Sequence, residues 1–326
     1  MKALQFLGDS RYAVSELPTP AIEDDEVLLA ARSVGICHSD VDLLQGRYII
    51  PFSFPVIPGH EWSAEVVATG RKVTRFAAGD RVVGECVIGQ EHFGFSISGA
   101  AAELFVAKEG WLHQLPDDLT WTQGALVEPF SCGYYATVRA DNLDASDTAV
   151  VLGAGPIGLG VVAAAAARGV RVIVAEPDPT RAALAQSLGA ELTLDPTAPD
   201  VGEQLDEMTG GRRADVVFEA SGKPAAMAAA LDLAGFRARL VSIGIDVGGS
   251  APAALGQIQS KELQVRGIIG SPGVWPQTLR FLARSGVDLS PLVTSSYDLA
   301  SAGEAVEAVL QDRSQVKVHI TSSATP

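Results

Sequence analysis

Only three cysteines, Cys37, Cys86 and Cys132, occur in 326 residues. Three is an odd number and they lie far apart, so no disulfide framework can be drawn, which fits a reducing cytosol. Aromatic residues are scarce at 6%, and basic residues are outnumbered 39 to 24, for a formal net charge of −15. So acidic a field repels a phosphate backbone and argues against nucleic acid as a partner. The opening segment, MKALQFLGDSRYAVSELPTP, has no positively charged region followed by an apolar stretch, so no secretion signal is expected. What is plentiful is glycine, at 33 residues, and hydrophobic side chains, at 47%. That composition argues against disorder and suffices for two domains, each with a real core. One uncharged run, Ala149 to Ala167, is 19 residues long and approaches the length of a membrane span. It holds four glycines and a proline and opens like a strand, so it reads as strand, turn and helix of a soluble fold. The expectation is a cytoplasmic protein without a membrane partner.

Up to about residue 135 the sequence reads as short strands and loops, with no helical period running far. Val27–Ala31, Glu65–Ala68 and Arg81–Val83 are strand-like, separated by Gly, Pro and Asp turns. From about residue 146 strand-like runs alternate with Ala-rich helical stretches. The strands are 148–152, 171–175, 191–194, 215–219, 239–243 and 263–269. The helices between them are 156–168, 180–188, 201–208 and 224–234. Six strands with helical crossovers predict an α/β, doubly wound parallel sheet of the Rossmann kind. Beyond residue 270 come a helix at 275–284, a second at 302–310 and a closing strand at 316–320.

Gly153-Ala154-Gly155-Pro156-Ile157-Gly158 follows the strand TAVVL and opens a helix. The first glycine permits the tight turn, the second lets the backbone approach a pyrophosphate, and the third lets helix pack on strand. The helix N-terminus then faces the negative charge. Alone, this glycine pattern is weak, but strand, helix and second strand all stand in place. The second strand leads to Glu176, 23 residues past Gly153. A carboxylate there accepts both ribose hydroxyls of NAD and repels the 2′-phosphate of NADP, so NAD is the expected cofactor. Arg181 joins the cofactor-binding candidates.

Two motifs in the first part carry metal-ligand chemistry. Gly35-Ile36-Cys37-His38-Ser39-Asp40 and Pro58-Gly59-His60-Glu61 present a thiolate and an imidazole 23 residues apart, and Glu128 offers a later carboxylate. Cys37, His60 and Glu128 would make three protein ligands for zinc and leave a fourth position for water or substrate. Spacing alone does not decide this, because a free buried cysteine is usually core.

Taken together, the motifs GICHSD, PGHEW, GD–RVV, EP at 128–129, GAGPIG, EASG at 219–222 and the C-terminal VKVHI resemble the zinc-containing medium-chain dehydrogenase/reductase family of alcohol and polyol dehydrogenases. The resemblance spans nearly the whole chain. It implies a mostly-β, GroES-like catalytic domain over 1–137, completed by 271–326, and a Rossmann NAD domain over 138–270. It implies that Cys37 and His60 are zinc ligands, and that Glu128 ligates zinc or holds its water. Glu61 would lie behind the metal or swing in to bind it. Asp40 would fix the imidazole of His60, Ser39 would take the substrate proton, and His38 and Lys317 would meet the cofactor pyrophosphate. Relatives often carry a four-cysteine lobe for a structural zinc. With three cysteines that site is arithmetically impossible here, so one zinc per chain is expected, with Cys86 and Cys132 as packing residues. Where many alcohol dehydrogenases place a relay histidine this chain has Asp42. The proton relay would run through Asp42, through the cofactor ribose or along another water path.

The expected reaction is NAD-linked, zinc-dependent oxidation of a secondary hydroxyl of a polyol, sugar alcohol or (amino)cyclitol, or the reverse reduction. The HEW and EP wording favours ring polyols, with acyclic polyols next. Arg47 and Tyr48 fall in a loop that often lines the substrate cleft and reads equally well as a solvated loop. Two other readings remain: a zinc-free NADP-linked reductase of the same superfamily, and a non-catalytic NAD-binding protein. The resemblance also implies a homodimer or homotetramer formed along the strand at 263–269.

Overall fold

In the computed structural model, which describes residues 1–246 and 248–322, the chain divides into two units. The first comprises Met1–Glu128, Trp275–Arg284 and the chain from Leu289 onward, and the second Pro129–Val274 with Ser285–Asp288.

The second unit carries a six-stranded sheet in which every neighbouring pair is parallel. Its order is Leu192–Leu194, Arg171–Ala175, Thr148–Leu152, Ala214–Glu219, Ala234–Ser242 and Gln264–Gly267. The chain therefore runs outward in one direction from Thr148–Leu152, then returns to its other side and runs the opposite way. Such a reversal leaves a crevice at the carboxyl ends of the strands, where doubly wound folds bind ligands. All five residues of Thr148–Leu152 are buried, as a strand covered by helices on both faces must be. Each such Val or Leu contributes about 1.5–3 kcal/mol on burial.

The strand ends differ from expectation by a few residues, and the reason is local. The strand expected at 239–243 begins at Ala234, bulging between Ala214 and Val216 of its neighbour. The edge strand expected at 263–269 is shorter, Gln264–Gly267, because an edge has one partner to hold it.

The first unit is built on a seven-stranded sheet. Its long member, Glu26–Ile36, pairs antiparallel with Glu61–Thr69, with Leu104–Lys108 and with the C-terminal Lys317–Thr321. The strands expected at 27–31 and 65–68 thus extend to reach the residues of interest. Trp62, Phe93 and Phe105 pack as a buried aromatic cluster in its core, with ring centroids 4.8–5.7 Å apart. Three helices fall where only strands and loops were expected: His38–Leu44, Trp121–Ala125 and Val127–Arg139. The last contains Pro129 and Gly133, which weaken any sequence signal for helix. Gly133 is small for a reason: a Cβ there would sit 2.7 Å from the backbone of Gly160. Among the described residues no helix is long and apolar enough to cross a membrane.

Candidate active site

The long strand delivers Cys37 at its end, and antiparallel pairing brings Glu61 to the same level through Gly35↔Glu61. Lys317–Thr321 lies on the strand's other side, with His319 opposite Gly35. Three distant parts of the sequence therefore converge at one sheet position. Gly35 is required there by close approach, since a Cβ would stand 2.3 Å from Glu61 Oε2.

Cys37, His60 and Glu61 each place one ligand atom within 4.8 Å of the other two. A thiol, an imidazole and a carboxylate so disposed match the donor set that zinc takes in sites with an open fourth position. Asp40 stands behind this group. Its Oδ2 accepts a hydrogen bond from Cys37 N at 2.9 Å, and its Oδ1 lies 3.4 Å from His60 Nδ1. With Nδ1 facing the Asp40 carboxylate, Nε2 is the ring nitrogen left to bind a metal. Ser39 Oγ lies 3.4 Å from that Nε2. Burial opposes charge on His60, yet the Asp40 carboxylate and nearby thiols hold the imidazole well above its ordinary value. A histidine must be unprotonated to ligate a metal, so binding there weakens in acid.

Glu61 is more committed than its sequence suggests. Lys317 Nζ sits 2.7 Å from both its carboxylate oxygens, and the two side chains are 2% exposed or less. Lys317, expected at a pyrophosphate, therefore spends its charge inside the first unit, because strand pairing beside Ile36 carries it there. Glu128 stands outside the three-residue group but close enough to feel His60, Glu61, Lys317 and Asp40. Burial pushes its carboxyl up to about 7. Asp42 pairs with the Arg47 guanidinium at 3.3 Å, and His38 is exposed at the first position of its helix. Cys86 is a buried thiol pushed up to about 12 by burial, its Sγ–H directed at Phe93 O.

Sequence reasoning left Tyr48 undecided between cleft and solvated loop. Its ring stacks on Phe95 at 5.0 Å, and Phe95 in turn contacts the His60 ring at 5.1 Å. Burial, with Cys37 close by, pushes the phenol above its ordinary value. The signal that could have found it is its place two residues beyond Gly46, where the helix carrying Ser39 turns back.

In the second unit the glycine loop has the shape the sequence requires. Gly155 is the N-cap and Pro156 the first residue of the helix Pro156–Ala166. A Cβ at Gly155 would meet nothing, so its backbone is open to a ligand, whereas one at Gly158 would strike Gly153 O at 2.0 Å. An open cradle at a helix N-terminus fits a pyrophosphate. Ile157 lies in the first turn of that helix. Glu176 Oε2 accepts from Ala154 N at 2.7 Å and Oε1 from Asp178 N at 3.0 Å, which fixes the carboxylate beside the loop. Arg181 lies in the first turn of Pro179–Ser187.

A doubly wound sheet with an open phosphate cradle, joined in one chain to a β unit bearing a Cys–His–Glu cluster, defines a dinucleotide-linked oxidoreductase. Residues 156–284 match the family described as zinc-binding dehydrogenase, and residues 23–117 the alcohol dehydrogenase GroES-like domain. D-arabitol-phosphate dehydrogenase of Enterococcus avium is 31% identical over 98% of this chain and 96% of its own length. Sorbitol dehydrogenase of Bacillus subtilis is also 31% identical, over 97% and 95%. The crystal structure of 2R,3R-butanediol dehydrogenase from Bacillus subtilis superimposes with a TM-score of 0.90 at 32% identity, covering 98% of this chain and 99% of that one. The chain belongs to the zinc-type medium-chain alcohol and polyol dehydrogenases, which use a nicotinamide cofactor.

Proposed function

We propose that the protein catalyses zinc-dependent, NAD-linked interconversion of a secondary alcohol and its ketone, on a polyol, sugar alcohol or cyclitol. The observation that carries this reading is the Cys37–His60–Glu61 group within 4.8 Å, with the Ser39 hydroxyl on the His60 side of it. The relatives named for arabitol phosphate, sorbitol and butanediol support a substrate with more than one hydroxyl.

When bound, zinc would polarise the substrate oxygen and lower the pKa of its hydroxyl. Cys37 and His60 would hold it, with Glu128 or Glu61 as the carboxylate donor. The rest is work for side chains of this chain. Asp40 keeps the His60 ring oriented. Ser39 Oγ, near that ring, would take the hydroxyl proton while handing its own proton onward, and a bound nicotinamide would supply the hydride acceptor. Lys317 neutralises Glu61, which lowers the negative charge that a thiolate and two carboxylates would otherwise concentrate in one place. Asp42 is ion-paired with Arg47, whose guanidinium stays protonated, so an onward proton path through this residue would use the Asp42 carboxylate alone.

Residues 1–137 with 271–326 would form the catalytic domain and 138–270 the NAD domain. Gly153, Gly155, Pro156, Ile157 and Gly158 would receive the pyrophosphate, with His38 at its edge. Glu176 would take the adenosine ribose, with Arg181 beside it. Pairing along the edge strand Gln264–Gly267 would make a dimer or tetramer.

NADH production across a panel of acyclic polyols, cyclitols and simple secondary alcohols tests the reading. Turnover of polyols or cyclitols with NAD is expected, and it should be lost in Cys37→Ala. Activity confined to activated double bonds with NADPH would replace this reading with that of a zinc-free reductase.

A further inference from the structure

Glu176 flanks the phosphate loop on one side, and a second carboxylate, Glu219, is buried on the other. Glu219 ends the strand Ala214–Glu219 and stands opposite Leu152 on one neighbour and Ser242 on the other. It is 0% exposed. Its Oε1 accepts from Ser221 N at 2.8 Å, Ser221 Oγ at 2.6 Å and Gly222 N at 3.1 Å. Its main-chain oxygen accepts from Ile243 N at 2.8 Å and Gly244 N at 3.0 Å. Its Oε2 has no hydrogen-bond partner among the described residues and lies against Gly244, where a Cβ would come within 2.7 Å of it. One residue thus ties together the turns at 220–222 and 243–245.

These turns interlock with the phosphate loop. A Cβ on Gly222 would lie 2.5 Å from Ile245 O, and one on Gly244 would lie 2.1 Å from Gly222 N. A Cβ on Gly153 would meet the Cβ of Ser221 at 3.0 Å, and Ala220 N donates to Leu152 O at 3.0 Å. Backbone rests on backbone with almost nothing between, so a shift in one turn is passed to the next. A doubly wound sheet holds the two nucleotides of a dinucleotide on separate halves, either side of the strand where the order reverses. The glycine loop and Glu176 serve one half. Glu219 ends the first strand of the other.

We propose that Glu219 is a positioning residue for the nicotinamide-bearing nucleotide, fixing the turns at 220–222 and 243–245 on which that half of the cofactor rests. This rests on the dinucleotide-binding reading of the sheet. Burial pushes the Glu219 carboxyl above its usual range even though Ser221 and Gly222 pull the other way, so a glutamine is a fair stand-in for it.

The test is equilibrium binding of NADH, followed by its fluorescence, beside binding of AMP, which fills only the adenosine half. Glu219→Ala is expected to bind NADH about tenfold more weakly, the loss of a buried hydrogen-bond set, while AMP binding stays within about twofold. Glu219→Gln keeps the acceptor oxygen and should bind both as the parent does. Ser221→Ala, which removes one of the three bonds, should weaken NADH alone and remains measurable if Glu219→Ala does not fold. NADH binding unchanged in Ser221→Ala, parallel losses for NADH and AMP, or a Glu219→Gln variant as weak as Glu219→Ala would overturn the proposal. A parent protein that binds neither NADH nor AMP would instead overturn the dinucleotide reading beneath it.

Discussion

Lys317 Nζ lies 2.7 Å from both carboxylate oxygens of Glu61, deep in the first unit. The pair joins residues 256 positions apart, and it exists because the C-terminal strand returns beside Ile36. A buried pair of this kind costs much desolvation, and removing one partner leaves the other charge uncompensated.

Lys317→Met should therefore lower stability by about 3–5 kcal/mol, and Glu61→Gln by a similar amount. The double variant should lose less than the sum of the two, because each single change is costly mainly through the charge it strands. Thermal unfolding of the four proteins checks this. Strictly additive losses would show that the two side chains do not depend on one another.

Asp40 bonds Cys37 N and faces His60 Nδ1, so it orients two of the proposed ligands at once. Asp40→Asn should weaken zinc binding about 10- to 100-fold, measured by competition with a chromogenic chelator. An unchanged affinity would remove Asp40 from the site's support.

His319 is fully buried, its Nδ1 on Ser33 Oγ at 2.8 Å. Burial, reinforced by Lys317, pushes its pKa down to about 3 from an ordinary 6.5. Between those values the unfolded chain takes up a proton that the folded protein refuses. The contribution is therefore present above pH 6.5 and drains away as the pH falls toward 3. The slope is about 1.4 kcal/mol per pH unit. In His319→Asn this slope should vanish, so the stability difference from the parent should narrow or reverse between pH 6.5 and 4.5. A difference constant with pH would contradict the assignment.

Glu176→Ala should cut the preference for NAD over NADP at least about tenfold in kcat/KM, by removing the charge that repels a 2′-phosphate. An unchanged ratio would mean that another residue sets the choice.

The sheet of the second unit was legible because its strands are short apolar runs separated by Ala-rich helices, and because the glycine loop fixes where the first helix begins. Cys37, His60, Asp40 and Ser39 were legible as motifs. Their neighbours were less so. Glu61 was open between two roles, and its bond to Lys317 depends on strand pairing across most of the chain, which no local pattern encodes. The helix Val127–Arg139 escaped notice because Pro129 and Gly133 hide a helix that packing, not propensity, maintains. Glu219 was legible only as part of a motif, since its meaning lies in the turns it joins.

The central claim, hydride transfer dependent on one zinc, is tested most directly by elemental analysis of protein prepared without chelator, coupled to NADH production before chelation, after it and after zinc is returned. The account predicts about one zinc per chain, with activity lost on chelation and restored by zinc. Fully active protein containing no zinc would contradict it.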